Sequence, residues 1–384
     1  MEIAPFAVAV PDETLADLSE RLNRVRWPDE VEDAGWAYGA DLAFMQELVR
    51  YWRTEFDWRA QERAINRFSH ARVKVEGHWI HIVHQRGTGP RPIPLLLTHG
   101  WPSSFYEMLD LVPLLADPGA HGADPADAFD VVVPSVPGYG FSERPTHRGF
   151  DYRRIAGLWD RLMMGLGYER FGAHAYDIGA SIMSHLLIDR PERLIGYHTT
   201  EPANPSPYLG PGAAPLSTAE RSYLALQQEW GADEGGYMAI QTTRPQTLGY
   251  GLNDSPVGLA AWVIEKWRSW TVSQGGDLTH HFTMDQLLTN VTIYWVTETI
   301  NSANRLYFER AHHPRQRLPN DRIAVPTGVA LTTQAIERIP RQLASRIFVD
   351  IRQWIDLGRG GHFVALEEPH LLADAIRRFF RPLR

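Results

Sequence analysis

Apolar residues recur at steps of three and four near the start of the chain. Leu15, Leu18, Leu22 and Val25 share one face, with Asp12 and Glu13 just ahead of them. That spacing predicts an amphipathic helix whose acidic residues sit in the first turn, where the helix dipole favours negative charge. A second helix is predicted over 40–56, with Leu42, Met45, Leu48, Val49 and Trp52 on one face. The period then changes to two. Val73, Val75, Trp79, His81 and Val83 alternate with other residues around Gly77, which predicts a β-hairpin.

Further on come short runs that are apolar at consecutive positions. Ile93 to Thr98 ends at His99-Gly100, Asp130 to Pro134 ends at Ser135, and Phe171 to Ala175 ends at Tyr176. Runs of this kind between helical patterns describe parallel strands buried on both faces of an α/β sheet. Residues 324–331 and 346–354 are further strand candidates, and Glu368-Pro369 opens a terminal helix with Leu372, Ile376 and Phe379 on one face. Residues 205–319 are different: helical by pattern and rich in Trp and Tyr. The predicted organisation is an N-terminal helical segment over 1–70, an α/β core over 71–204 and 320–384, and a helical lid over 205–319. Such a lid would cover the carboxyl ends of the strands, where open α/β sheets place ligands.

Composition narrows the classes. The chain has 384 residues, 44% apolar and 22% charged, which excludes wholesale disorder. Its net charge is −8 without a basic block, which argues against a nucleic-acid surface. It has no cysteine, so disulfides, zinc thiolates, iron–sulfur clusters and a thiol nucleophile are excluded. The charge-free tract from Pro202 to Ala219 is broken by prolines and glycines, and the first residues lack a signal-peptide pattern. The expectation is a cytoplasmic protein without a membrane anchor. A homodimer is left open.

The segment Ala175-Tyr176-Asp177-Ile178-Gly179-Ala180 joins a strand to a helix. Small flanking residues suit a tight strand-to-helix elbow, where a bulky side chain would collide with its surroundings. The residue at the apex is Asp. A carboxylate is ionised at neutral pH and needs no base to attack. On an acyl carbon it would make an anhydride; on an sp³ carbon bearing oxygen or halogen it makes an ordinary ester. Asp177 therefore points to epoxides or alkyl halides. The alternative is that Asp177 merely caps the following helix.

Two further segments favour chemistry over capping. His99-Gly100-Trp101-Pro102 ends the first buried run, where the backbone N–H of Trp101, with that of Ile178, can form an oxyanion hole on the Asp177 carboxyl. Gly360-Gly361-His362-Phe363 precedes the last helix and supplies a candidate base, His362. An acid between Asp177 and His362 would complete the order nucleophile, acid, histidine.

Together these segments make the chain resemble a microsomal-type epoxide hydrolase of the α/β-hydrolase superfamily. The resemblance extends through Tyr51-Trp52-Arg53-Thr54-Glu55-Phe56-Asp57-Trp58, Pro137-Gly138-Tyr139-Gly140-Phe141-Ser142, Asn253-Asp254-Ser255-Pro256 and Leu287-Leu288-Thr289-Asn290-Val291. It implies an α/β-hydrolase fold with a mostly parallel sheet, Asp177 as nucleophile and His362 as base. It also implies that Tyr237 and Tyr307 polarise the epoxide. One departure stands out: the position where the family's orienting Glu falls is Ala335, so Glu337 is the favoured acid, with Asp350 and Asp356 as alternatives. The scarcity of lysine (Lys74 and Lys266 only) and the Tyr237-Met238 pair resemble actinobacterial epoxide hydrolases of enediyne antibiotic pathways.

The expected function is hydrolysis of a bulky or aromatic small-molecule epoxide to a vicinal diol through an ester on Asp177. No metal or organic cofactor is expected. Two alternatives remain at this point: a haloalkane dehalogenase, which shares the Asp elbow, and a non-catalytic small-molecule-binding homologue, suggested by Ala335.

Overall fold

A computed structural model describes residues 1–271 and 276–384 of the chain. Among the described residues nine strands form one sheet: β1 (Glu2–Pro5), β2 (His70–Val75), β3 (His78–Gln85), β4 (Ile93–Thr98), β5 (Phe129–Pro134), β6 (Phe171–Ala175), β7 (Leu194–Thr199), β8 (Thr327–Leu331) and β9 (Ile351–Asp356). Their spatial order is β1-β2-β3-β5-β4-β6-β7-β8-β9. Pairing is antiparallel from β1 to β5 and parallel from β5 to β9. The β2–β3 turn uses Glu76 and Gly77, both at positive φ, as a two-residue hairpin with matching twist requires.

The consecutive apolar runs form the central strands because both sheet faces are covered. Leu96, Val132 and Ala173 pack into one core, while Leu95, Leu97, Val131 and Val133 pack into the other. The helices α1 (Asp12–Asn23), α2 (Leu42–Thr54) and α3 (Trp58–Ile65) come first, and α4 (Leu111–Ala116), α5 (Tyr152–Gly165) and α6 (Asp177–Asp189) connect the strands. The lid consists of α7 (Thr218–Asp233), α8 (Gly236–Thr243), α9 (Pro245–Leu252), α10 (Pro256–Ser269), α11 (Met284–Thr297) and α12 (Ile300–His312). Capping boxes at Ser217/Glu220 and Thr283/Gln286 start α7 and α11. Then follow α13 (Arg341–Ala344), α14 (Val364–Glu367) and α15 (Pro369–Phe380). Among the described residues no helix is long and apolar enough to cross a membrane.

The structure departs from the sequence expectations at several places. The N-terminal segment is not purely helical, because β1 pairs with β2 at the edge of the core sheet. Four residues ending in proline give no readable period. The strand expected from 324 starts at Thr327, since Pro326 lacks the N–H a ladder needs. The strand expected over 346–354 is β9 at Ile351–Asp356, with residues 346–350 outside it. β7 was not anticipated. Lid helices begin only at Thr218, and residues 272–275 of the lid lie outside the described residues.

Candidate active site

β6 ends at Ala175, and the chain turns into α6 with Asp177 at φ +54°. That conformation costs a non-glycine residue on the order of 1–2 kcal/mol and is held by its surroundings. The helix cap is Tyr176, so the Asp177 carboxylate is free of capping. Its Oδ1 instead accepts the backbone N–H of Trp101 at 2.7 Å, and the backbone N–H of Ile178 also donates to the carboxylate. Two glycines permit this approach. A Cβ at Gly100 would lie 2.7 Å from the Asp177 Cβ, and one at Gly179 would lie 2.4 Å from the Thr98 carbonyl oxygen.

The Trp101 loop is pinned from the lid. The Asn290 side-chain amide donates to the Pro102 carbonyl at 2.8 Å, Trp267 donates its indole N–H to the same oxygen at 3.3 Å, and the Tyr294 hydroxyl donates to the Ser103 carbonyl at 2.6 Å. Burying these polar groups with partners fixes the direction of the Trp101 N–H.

His362 follows Gly360 at φ +80° and Gly361, where a Cβ would meet the Thr271 Cα at 2.8 Å. Its backbone N–H donates to the Trp270 carbonyl at 2.9 Å. The imidazole lies between the rings of Trp270 and Tyr176, at centroid distances of 5.1 and 5.9 Å. Nδ1 is 2.5 Å from Glu337 Oε1, and Nε2 faces Asp177 Oδ2 at 3.8 Å. With Nδ1–H directed at Glu337, Nε2 is turned towards the nucleophile candidate.

Glu337 reaches this position through a short 3₁₀ turn, Ala335–Glu337, beyond the end of β8. Thr332 donates its hydroxyl to Glu337 Oε2 at 2.8 Å. Ala335 opens the turn, so the carboxylate arrives two residues later. The other two acids are engaged at the surface: Asp350 pairs with Arg352 at 2.8 Å, and Asp356 pairs with Arg338.

Tyr237 from α8 and Tyr307 from α12 come down from the lid. Tyr237 stacks on Trp101, with ring centroids 4.8 Å apart and planes 2° from parallel, and Tyr307 meets Tyr237 edge-on at 6.1 Å. Burial, with Asp177 nearby, pushes both phenols well above their ordinary range, so both remain donors. Asp177, His362, Glu337, Tyr237, Tyr307 and Ile178 border one cavity of about 360 Å³. A larger groove of about 890 Å³, lined by Arg21, Arg144 and Trp295 among others, lies elsewhere, so volume alone does not locate the site.

One acidic member of this cavity escaped the sequence reading. Glu201 lies two residues past β7, accepts the Asp177 backbone N–H at 2.5 Å through Oε2, and accepts the Asn204 amide at 2.9 Å through Oε1. Burial, then the neighbouring Asp177 and Glu337, pushes its carboxyl up to about 8. Asp177 is also raised, by burial opposed by His362 and the two N–H groups. Burial would lower His362, but Glu337, Asp177 and Glu201 outweigh it and raise the imidazole to about 10. An acid just beyond a buried strand was the available signal, and it was lost with β7 itself.

Glu201 should therefore leave a mark on the pH dependence. With the carboxyl raised to about 8, its ionisation falls above the ordinary carboxylate range and adds a negative charge beside Asp177 and His362. The wild-type pH–rate profile is expected to inflect near that pH, and Glu201→Gln, which keeps an acceptor but cannot ionise, is expected to lack the inflection. Superimposable profiles would exclude the effect.

Comparison with known proteins gives a consistent result. Residues 3–108 match the family described as epoxide hydrolase N terminus, and residues 93–298 match the alpha/beta hydrolase fold. A Stigmatella aurantiaca protein provisionally named an epoxide hydrolase is 41% identical, over 100% of this chain and 86% of its own length. Epoxide hydrolase 1 of Sus scrofa is 35% identical, over 98% of this chain and 88% of its own. The crystal structure of juvenile hormone epoxide hydrolase from Bombyx mori superposes with a TM-score of 0.86 at 28% identity, covering 100% of this chain and 94% of the other. The Aspergillus niger epoxide hydrolase gives 0.86 and 28%, covering 100% and 97%. With an Asp elbow, a Glu337–His362 pair and two lid tyrosines around one cavity, and with relatives similar over nearly their whole length, the chain belongs to the microsomal-type epoxide hydrolase family of the α/β-hydrolase superfamily.

Proposed function

We propose that this protein opens an epoxide to a vicinal diol through an ester formed on Asp177. The observation that carries this is the asymmetry of the Asp177 carboxylate. Oδ1 is held by the Trp101 N–H at 2.7 Å, while Oδ2 faces the cavity side occupied by His362 Nε2, 3.8 Å away. Oδ2 is the oxygen available to attack.

In the first step Oδ2 attacks one ring carbon as the C–O bond breaks, and the phenols of Tyr237 and Tyr307 donate to the developing alkoxide. The Asp177 charge disappears on esterification. That removes one of the negative charges holding His362 protonated, so the imidazolium sheds its proton to solvent and becomes a competent base, while the ring-opened alkoxide takes a proton from solvent by way of the tyrosines. In the second step His362 takes a proton from water, and the hydroxide adds to the ester carbonyl. Oxyanion charge falls on Oδ1, which the Trp101 N–H holds, with the Ile178 N–H also donating to the Asp177 carboxyl group. Collapse expels the diol alkoxide, which takes the proton from His362, and the carboxylic acid left on Asp177 passes its proton to His362, restoring the carboxylate and the imidazolium. Glu337 keeps the imidazole oriented throughout.

Aromatic cavity walls, Tyr152, Tyr223, Trp230 and Trp270, favour a bulky unsaturated epoxide. Such a substrate fits a role in natural-product biosynthesis of the kind implied by the sequence resemblance. The test is a diol assay across terminal, aromatic and disubstituted epoxides, with a chloroalkane alongside. Asp177-dependent diol formation supports the proposal. Halide release without diol would favour a dehalogenase, and tight epoxide binding without turnover would favour a receptor.

A further inference from the structure

The catalytic cavity continues into a second one of about 220 Å³. Tyr152, Ser181, Asn204, Ser206 and Arg310 border both. Basic side chains gather along this vestibule. Arg310 lies in the last turn of α12, His313, Arg315 and Arg317 follow it in the chain, and His185 comes from α6. Among the described residues one carboxylate, Asp151, lines the vestibule, and it is committed to capping α5 by accepting the Arg154 N–H at 2.9 Å.

The cations are unequally neutralised. Arg315 pairs with Asp189 at 2.7 Å and lies 3.9 Å from Asp321, and His313 lies 3.7 Å from Glu309. Among the described residues no carboxylate forms an ion pair with Arg310 or Arg317. Arg317 Nη1 and His185 Nδ1 are buried without a hydrogen-bond partner. Burial lowers the Arg317 guanidinium, with Arg315 and Arg310 adding to the effect against Asp321 and Asp189. Burial, then Arg315 and Arg317, pushes His185 down to about 4, leaving it neutral. In a chain of net charge −8 this is a local concentration of positive potential, placed where it would steer a ligand.

The two ends of the combined space are thus opposite in character. Asp177, Glu201 and Glu337 border the catalytic cavity, whose floor suits a neutral epoxide ring. Guanidinium forks at the vestibule suit a planar or tetrahedral oxyanion. We infer that the vestibule binds a carboxylate or phosphate carried by the epoxide substrate itself, at the end remote from the ring, and so orients the ring on Asp177. This rests on the catalytic reading above and adds the charge of the substrate to it.

The test compares terminal epoxides bearing a carboxylate at the far end of methylene chains of increasing length with their methyl esters. For at least one length the acid is expected to be preferred in kcat/KM on the order of tenfold, through KM, with the preference shrinking as salt is added. Arg310→Gln and Arg317→Gln are each expected to move the acid-to-ester ratio towards one. A ratio of one at every length, or a preference that survives both substitutions, overturns the inference. So does activation of ester turnover by inorganic phosphate to the level of the acid, which would assign the vestibule to a free anion. If neither compound is turned over, the catalytic reading fails separately, and calorimetry on Asp177→Asn still decides the vestibule. Tighter binding of the acid, weakened by both arginine substitutions, supports it, and equal affinities overturn it.

Discussion

Asp177→Asn is expected to leave the protein folded and to lower diol formation by about 10⁴-fold or more, the scale on which loss of a nucleophile registers. The elbow keeps its shape in this variant because the side chain is isosteric. What is lost is the negative charge on the atom that must bond to carbon, while the Trp101 and Ile178 N–H groups still face a carbonyl oxygen. Asparagine beside a general base can be hydrolysed back to aspartate, so Asp177→Ala belongs in the same experiment. Steady-state diol formation, with circular dichroism to verify folding, checks the result. Activity retained in both variants would remove Asp177 from the mechanism.

The second large effect separates the two chemical steps. His362 touches the nucleophile side of the cavity through Nε2 and is expected to act only on water, so His362→Ala should still be alkylated. Its expected behaviour is a burst of one equivalent of epoxide consumed, followed by turnover slowed about 10²–10⁴-fold, the range for a lost general base. Intact mass should rise by the mass of the epoxide, and peptide mapping should locate the addition at Asp177. Glu337→Gln is expected to do the same in milder form, since it retains a side chain at 2.5 Å from Nδ1 but not the charge. A His362 variant that neither consumes epoxide nor gains mass would mean that the histidine acts before ester formation.

Much of this site was legible because it is local in sequence. The elbow around Asp177, the His99-Gly100-Trp101-Pro102 turn and the Gly360-Gly361-His362 turn each place a reactive group next to the small residues that make room for it. The glycine contacts at Gly100 and Gly179 give the physical reason. Glu337 was harder, because its reach depends on a 3₁₀ turn whose path no periodicity reports. Gly196 and His198 interrupt the apolar pattern of β7, and with that strand went Glu201. The clamp of Asn290 on Pro102 joins residues 188 positions apart, which no single-sequence pattern expresses. The vestibule is of the same kind, since His185, Arg310 and Arg317 come from distant parts of the chain and border one cavity only in the folded protein.

The most direct measurement is a single turnover in water enriched in heavy oxygen, with enzyme in excess over epoxide. If the ester is real, the oxygen added to the diol comes from the Asp177 carboxylate. First-turnover diol should then be unlabelled, while the peptide containing Asp177 gains one heavy oxygen. Heavy oxygen in the first-turnover diol, with an unlabelled Asp177, would mean that water attacks the epoxide directly, and would contradict the account.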